Sequence, residues 1–201
     1  MMKRCFDIVI SFTTLVLLIP LMVVVGTIIK LNSEGPVFFK QERIGKGFRP
    51  FWIYKFRTMQ QAPIRHKSQV TVGNDPRITR VGRFLRQTKI DELPQLINIL
   101  RGEMSFVGPR PEVPQYVQLY KQDYQEILTV RPGLTDLASL KYRDEAALLA
   151  QSENPEEEYR MRVLPDKIEL AKDYLRQASL LFDLKIVFKT LFKLFEFRTT
   201  L

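Results

Sequence analysis

The residues with the clearest capacity for chemistry lie in "RQTKIDELPQLINILRGEMSFVGPRPEV", residues 86–113. There two consecutive carboxylates, Asp91 and Glu92, precede a proline-started apolar segment, and Arg110 stands between Pro109 and Pro111. Pro94 suits the first position of a helix running to about residue 100, which leaves both carboxylates at its N-terminal end, where free amides and the helix dipole favour anions. Two readings stand. A carboxylate at a helix start, with Thr88 three residues ahead of Asp91, is a cap. A carboxylate kept ionised by a helix end and by Arg86 is also a competent nucleophile toward phosphorus, if a metal ion and cations neutralise the phosphates it approaches. One cap explains one carboxylate, and here there is a pair. In the second reading Glu92, with Asp91 beside it, supplies the ligands for Mg2+. Arg110, on a backbone stiffened by its flanking prolines, presents a guanidinium fork to phosphate oxygens.

Composition narrows the alternatives. With one cysteine, Cys5, and one histidine, His66, in 201 residues, a Cys/His zinc site cannot be assembled within one chain, and a Ser-His-Asp site would depend on His66. That histidine sits in "APIRHKSQV", among turn-like and basic residues, and reads as a surface residue. Chemistry therefore falls to carboxylates, Lys, Arg and a hard cation. The net charge of +9 calls for an anionic partner: nucleic acid, anionic lipid or a phosphorylated substrate. The length suits one domain with an appended element.

The elements that must position these residues begin with a membrane segment. "IVISFTTLVLLIPLMVVVGTII", between Asp7 and Lys30, carries no charge and is long enough, at roughly 33 Å if helical, to cross a bilayer. Pro20 near its middle removes a backbone hydrogen bond and kinks the helix. Lys3 and Arg4 before it and Lys30 and Lys40 after it favour both ends on the cytoplasmic side, hence a re-entrant helix, with a kinked spanning helix as the alternative. Next, alternation about Gly45-Lys46-Gly47 predicts a β-hairpin over residues 37–54, from whose second strand Lys55 and Arg57 emerge. Residues 60–75 read as a loop. Arg77, Arg80, Arg83 and Arg86, three apart, predict a basic ridge on one side of a helix, either facing phosphates or simply solvated. "QSENPEEEYRMR" reads as a loop and the start of a helix. Finally, residues 180–197 form an amphipathic helix with Lys185, Lys189 and Lys193 on one stripe and Leu184, Phe188, Leu191 and Phe195 among its apolar positions. It is either a core helix with a wet face or an interfacial helix on anionic lipid.

Together these stretches resemble the bacterial sugar transferases, the monotopic polyprenyl-phosphate phosphoglycosyl transferases. The likeness runs through "FFKQERIG", "YKFRTM", "ITRVGRFLR", "IDELPQLINILRGEMSFVGPRPE", "VRPGLT" and "FDLKIVFKTL". It implies transfer of a sugar 1-phosphate from a UDP-sugar to undecaprenyl phosphate through a covalent phosphosugar-aspartate intermediate. In that scheme Asp91 is the nucleophile, Glu92 its metal-associated partner, and Lys55, Arg86 and Arg110 lie near the substrate phosphates. Arg57, Pro109, Pro111 and Arg143 complete the expected substrate-binding set. The resemblance also implies a monotopic enzyme on the cytoplasmic face of the bacterial inner membrane, in contact with its lipids, its re-entrant helix broken at Pro20. Two departures stand out: Ile19 replaces the serine before that proline, and "TDLASLKYR" keeps Thr135, Ala138 and Arg143 of the family's pattern but brings in Asp136, Ser139 and Tyr142.

The expected fold is α+β: a membrane helix over 1–31, and a mainly helical catalytic domain with a small hairpin over 32–201, closed by the amphipathic helix. Two rivals are a membrane-tethered nucleic-acid binder, suggested by aromatic residues among lysines in "FWIYKFRTM", and a membrane adaptor. The first would leave Asp91 and Glu92 repelling phosphate at the centre of a basic face, so nucleic acid is not an expected partner.

Overall fold

The computed structural model describes residues 2–60, 72, 73 and 75–196. His66 and most of the expected 60–75 loop lie outside the described residues, as do the side chain of Phe195 and all of Phe197.

Apolar residues on every side make α1 (Met2–Asn32) a helix that no soluble core could cover, and its Phe12, Leu17, Val23 and Leu31 are exposed. Helical backbone continues through Pro20. Yet α1 touches the rest of the chain along its whole length. At its start, Arg4 donates to the carbonyls of Ile99 and Leu100, while buried Asp7 accepts from the Ser105 hydroxyl and the Phe106 amide. Leu15 packs near Leu96 and Ile99. At its end, Val25 and Ile29 pack with Phe56 and Leu85. Both ends of the apolar helix are thus fastened to one body.

The hairpin forms as its alternation predicts: β1 (Phe38–Ile44) pairs antiparallel with β2 (Pro50–Phe56), Phe38 opposite Phe56 and Ile44 opposite Pro50, with Phe51 and Ile53 turned into the core. After it come α2 (Arg80–Thr88) and α3 (Gln95–Arg101), then β3 (Ser105–Val107). The helices α4 (Pro114–Leu119) and α5 (Lys121–Ile127) lead to β4 (Gly133–Thr135), which pairs parallel with β3. This second small sheet, absent from the expectation of a lone hairpin, consists of three-residue strands too short to show a period.

Three short helices follow, α6 (Leu137–Lys141), α7 (Glu145–Leu149) and α8 (Pro155–Glu158). Asn154 caps α8, in line with the expected loop and helix start, and a π-helical turn carries the chain into α9 (Leu164–Gln177). Around α9 gathers the main core, with Tyr116, Tyr124, Leu149, Val163 and Ile168. The last helix, α10 (Leu180–Glu196), buries Asp183 and Ile186 and leaves Leu181, Phe188 and Phe192 exposed.

Candidate active site

Asp91 and Glu92 sit in a 3-10 turn, Ile90–Glu92, wedged between α2 and α3. Lys89, in the left-handed region at φ 58°, ends α2 and swings the chain into that turn, and Pro94 then opens α3 as expected. Thr88 caps nothing here; its hydroxyl turns back to the Phe84 and Leu85 carbonyls. Both carboxylates are buried. That is an unusual place for charge, and the two are treated differently.

Glu92 is fully engaged. Its Oε1 accepts from Lys55 Nζ at 2.7 Å and from Arg110 Nη2 at 2.5 Å, and Oε2 faces Arg110 Nη1 at 3.5 Å. Burial opposes its ionisation, but Arg110 and then Lys55 outweigh burial and hold the carboxyl well below the usual range. The guanidinium fork expected to meet phosphate therefore meets a carboxylate, and Glu92 keeps Lys55 and Arg110 aimed at one point. Asp91 is the opposite case. Its Oδ1 is buried and has no hydrogen-bond partner among the described residues. Burial, reinforced by the charge of Glu92, raises its pKa, and Lys55, Lys89 and Arg86 only partly offset this. Arg86 favours the ionised form, as expected, but burial outweighs it. Arg86 bonds to the Thr58 hydroxyl at 2.9 Å and the Met59 sulfur, and reaches Asp91 only through its field.

Each cation has its own support. Lys55 is held by β2, whose open edge is stitched to α3 by the buried side chain of Asn98: Oδ1 accepts from the Tyr54 amide and Nδ2 donates to the Trp52 carbonyl. Arg86 reaches Thr58 because α2 crosses close to the chain after β2; a Cβ on Gly82 would lie 2.0 Å from the Thr58 carbonyl oxygen. Arg110 follows β3, where Gly108 and Gly133 meet too closely for any side chain. Its amide donates to Asp136, whose other oxygen caps α6 by accepting from Ser139 N. Pro109 and Pro111 offer their carbonyls to Gly133 N and Arg43.

Two arginines at the cleft edge, Arg57 and Arg77, are tied to partners outside the Lys55, Glu92 and Arg110 cluster. Arg57 borders the cleft, but its guanidinium donates to the Ile29, Ser33 and Glu34 carbonyls and to the Ser33 hydroxyl. It caps α1 and fastens the membrane helix, a partnership that sequence spacing could not reveal. Arg77 leaves the predicted ridge: it precedes α2 and pairs with Asp75 at 2.6 Å, while Thr79 takes the cap position. Arg143 stands on the cleft wall and donates to the Lys193 carbonyl. Asn98, Asp136 and Asp7 were missed as positioning residues. Only Asp7, a carboxylate at the mouth of an apolar run, carried a signal.

An open cleft of about 1720 Å³ joins these groups, lined by Lys55, Arg86, Asp91, Glu92 and Arg110 and bordered by Val187 and Leu191 of α10. Mg2+ keeps few protein ligands, one or two carboxylates plus phosphate oxygens. The unpartnered Asp91 oxygen fits that demand, and Oε2 of Glu92, 3.5 Å from Arg110 Nη1, is the less engaged of that residue's oxygens. Among the described residues no cluster of three or more acidic, His or Cys side chains offers an all-protein cage.

Known proteins share this sequence over nearly the whole of the chain. The chain is 38% identical to a UDP-glucose:undecaprenyl-phosphate glucose-1-phosphate transferase of Escherichia coli, over 96% of this chain and 40% of that protein. It is 40% identical to a UDP-N-acetylgalactosamine-undecaprenyl-phosphate N-acetylgalactosaminephosphotransferase of Aeromonas hydrophila, over 94% of this chain and 42% of the relative. These matches span about two fifths of the relatives' length. A third relative, the exopolysaccharide production protein PSS of Rhizobium leguminosarum, is 39% identical over 94% of this chain and 92% of its own length. The sequence profile described as Bacterial sugar transferase matches residues 1–197, nearly end to end, and on that match the chain belongs to the bacterial sugar transferase family.

Proposed function

We propose that the chain transfers a sugar 1-phosphate from a UDP-sugar to undecaprenyl phosphate, with Asp91 as covalent nucleophile. The observation that carries this reading is the buried, unpartnered Oδ1 of Asp91 beside the Lys55, Glu92 and Arg110 cluster. A raised carboxyl pKa makes a more basic and hence more reactive oxygen once ionised, and approaching substrate phosphates meet Lys55, Arg86 and Arg110. Asp91 Oδ1 attacks the phosphorus that bears the sugar, its bond to uridine monophosphate breaks, and the nucleotide leaves with the electron pair. A phosphate oxygen of the lipid then attacks the same phosphorus, freeing the Asp91 carboxylate and giving a lipid diphosphate sugar. Mg2+, when bound through Asp91 and Glu92, would supply charge neutralisation for the phosphates. Glu92 meanwhile keeps the two cations aimed until phosphate shares them.

The acceptor carries its phosphate at a lipid surface, so the body must stay there. Attachment of α1 to that body at Arg4, Asp7, Val25 and Ile29 supports a re-entrant helix with the N-terminus on the same face as the domain. Flanking basic residues favour the cytoplasmic face. The direct test incubates the purified chain with UDP-glucose or UDP-N-acetylgalactosamine alone. A sugar-phosphate adduct on a peptide containing Asp91, seen by mass spectrometry and absent from Asp91→Asn, is expected; adduct formation or full turnover in Asp91→Asn refutes the mechanism.

A further inference from the structure

We infer that the edge of α10 carrying Val187 and Leu191 is where the isoprenoid chain of the acceptor passes from the bilayer into the cleft. The inference rests on the proposed transfer reaction and assigns one of its substrates to a surface. Its starting point is the distribution of side chains around α10. At about 100° per residue, Val187 and Leu191 share one side of the helix, Leu184 and Phe188 follow beside them, and Leu181 and Phe192 come next. The arc is apolar throughout. Its first members line the cleft, while Leu181, Phe188 and Phe192 are 81%, 69% and 66% exposed. Lys185 and Lys189, both exposed, bound the arc on its far side.

A helix this apolar on its open side and edged by lysines lies at an anionic lipid surface. Here the open side does not end at the body of the protein. It continues around the helix into the cleft that holds Asp91, and the neighbouring wall is apolar too: Phe106 of β3 and Leu134 of β4 are half-buried, and both line the cleft. Leu134, Phe106 and Leu15 of α1 pack against one buried cluster, and Phe106 and Val187 of α10 against the next, so the strip runs between the cores that seat the two helices. The edge is rigidly placed. Thr190 and Thr135 hydroxyls bond at 2.7 Å, Lys193 Nζ donates to the Leu140 carbonyl at 2.7 Å, and Arg143 donates to the Lys193 carbonyl. A phosphate delivered to the Lys55 and Arg110 cluster must trail a long apolar chain, and this strip keeps that chain out of water between bilayer and cleft.

The test uses the full chain in lipid nanodiscs and Leu191→Asp, with Leu191→Met as the conservative control. Release of uridine monophosphate from the UDP-sugar alone reports the donor step; KM for undecaprenyl phosphate and for a ten-carbon isoprenyl phosphate reports chain contact. Leu191→Asp is expected to raise KM for the long acceptor about tenfold and that for the short one less than about twofold. The donor step should be unchanged, and Leu191→Met should behave as the parent. A photoreactive isoprenyl phosphate should label residues within α10. Equal effects on both acceptors, no effect, loss of vesicle binding without a change in KM, or labelling confined to α1 would overturn the inference. If Leu191→Asp does not fold, the labelling result in the parent decides. A parent that releases no uridine monophosphate from any UDP-sugar would instead sink the transfer reaction itself.

Discussion

Replacing Glu92 by glutamine separates the two carboxylates of the site by what each does for the folded state. Glu92 sits between Lys55 and Arg110 at 2.7 and 2.5 Å, 7% exposed, with the two cation side chains 20% and 29% exposed. The amide keeps the shape but removes the charge, so one oxygen must serve both cations and an NH2 group meets a donor. Lys55 and Arg110 then repel each other with no counter-charge between them; Arg110 already depresses the Lys55 pKa in the parent, after burial. Breaking a buried pair costs about 3–5 kcal/mol, and the partial exposure of both cations puts this case near the lower end, about 3 kcal/mol. For a chain of this size that is a fall in Tm of about 6–12 °C. The pH dependence gives the sharper check. The folded-state pKa of Glu92 is depressed, so its contribution is present above its unfolded pKa and is lost as pH falls through the folded value, well below the usual carboxylate range. Thermal unfolding of parent and Glu92→Gln in the same detergent, from pH 8 downward, should show a constant gap to about pH 5 and a shrinking one below it. Equal stability at pH 7, or a gap that closes between pH 7 and 5, refutes the clamp.

Asp91→Asn should abolish turnover and yet raise Tm at neutral pH. Burial raises the Asp91 pKa, so the stability of its protonated form is present at acid pH and lost as pH rises through the folded value; the gain from Asn should therefore fade on acidification. Arg110→Lys should lose at least about tenfold in kcat/KM, because an ammonium cannot reproduce the fork, and parent-like activity would exclude direct phosphate contact. Arg57→Lys should lower Tm while leaving KM for the UDP-sugar unchanged, since its bonds go to the end of α1; a raised KM with normal stability would return Arg57 to the substrate site. Activity is expected to vanish on exhaustive chelation and return with Mg2+, and survival of activity would exclude the metal. For topology, a cysteine at position 2 with Cys5 replaced should resist an impermeant thiol reagent in intact cells and label after lysis, whereas labelling from outside would mean that α1 spans.

What could be read from the sequence was carried by near neighbours. An unbroken apolar run specifies a lipid-facing helix, alternation about Gly45 and Gly47 specifies the hairpin, and the consecutive Asp91 and Glu92 ahead of Pro94 mark the reactive turn. The proline-flanked Arg110 is equally local. Tertiary structure decided the rest, because it depends on which distant groups meet. Glu92 and Asp91 are adjacent and chemically alike, but Lys55, 37 positions away, and Arg110, 18 away, fall on one and leave the other with a bare oxygen. Arg57 looked like Lys55 in sequence, and a period of two gives both the same side; but Arg57 lies just past the end of β2, where the end of α1, 24 residues back, takes its guanidinium. β3 and β4 are too short to announce themselves, and they exist because Gly108 and Gly133 let two backbones touch. Periodicity is a property of a segment, whereas the protonation state and aim of a buried side chain depend on the partners that folding brings to it.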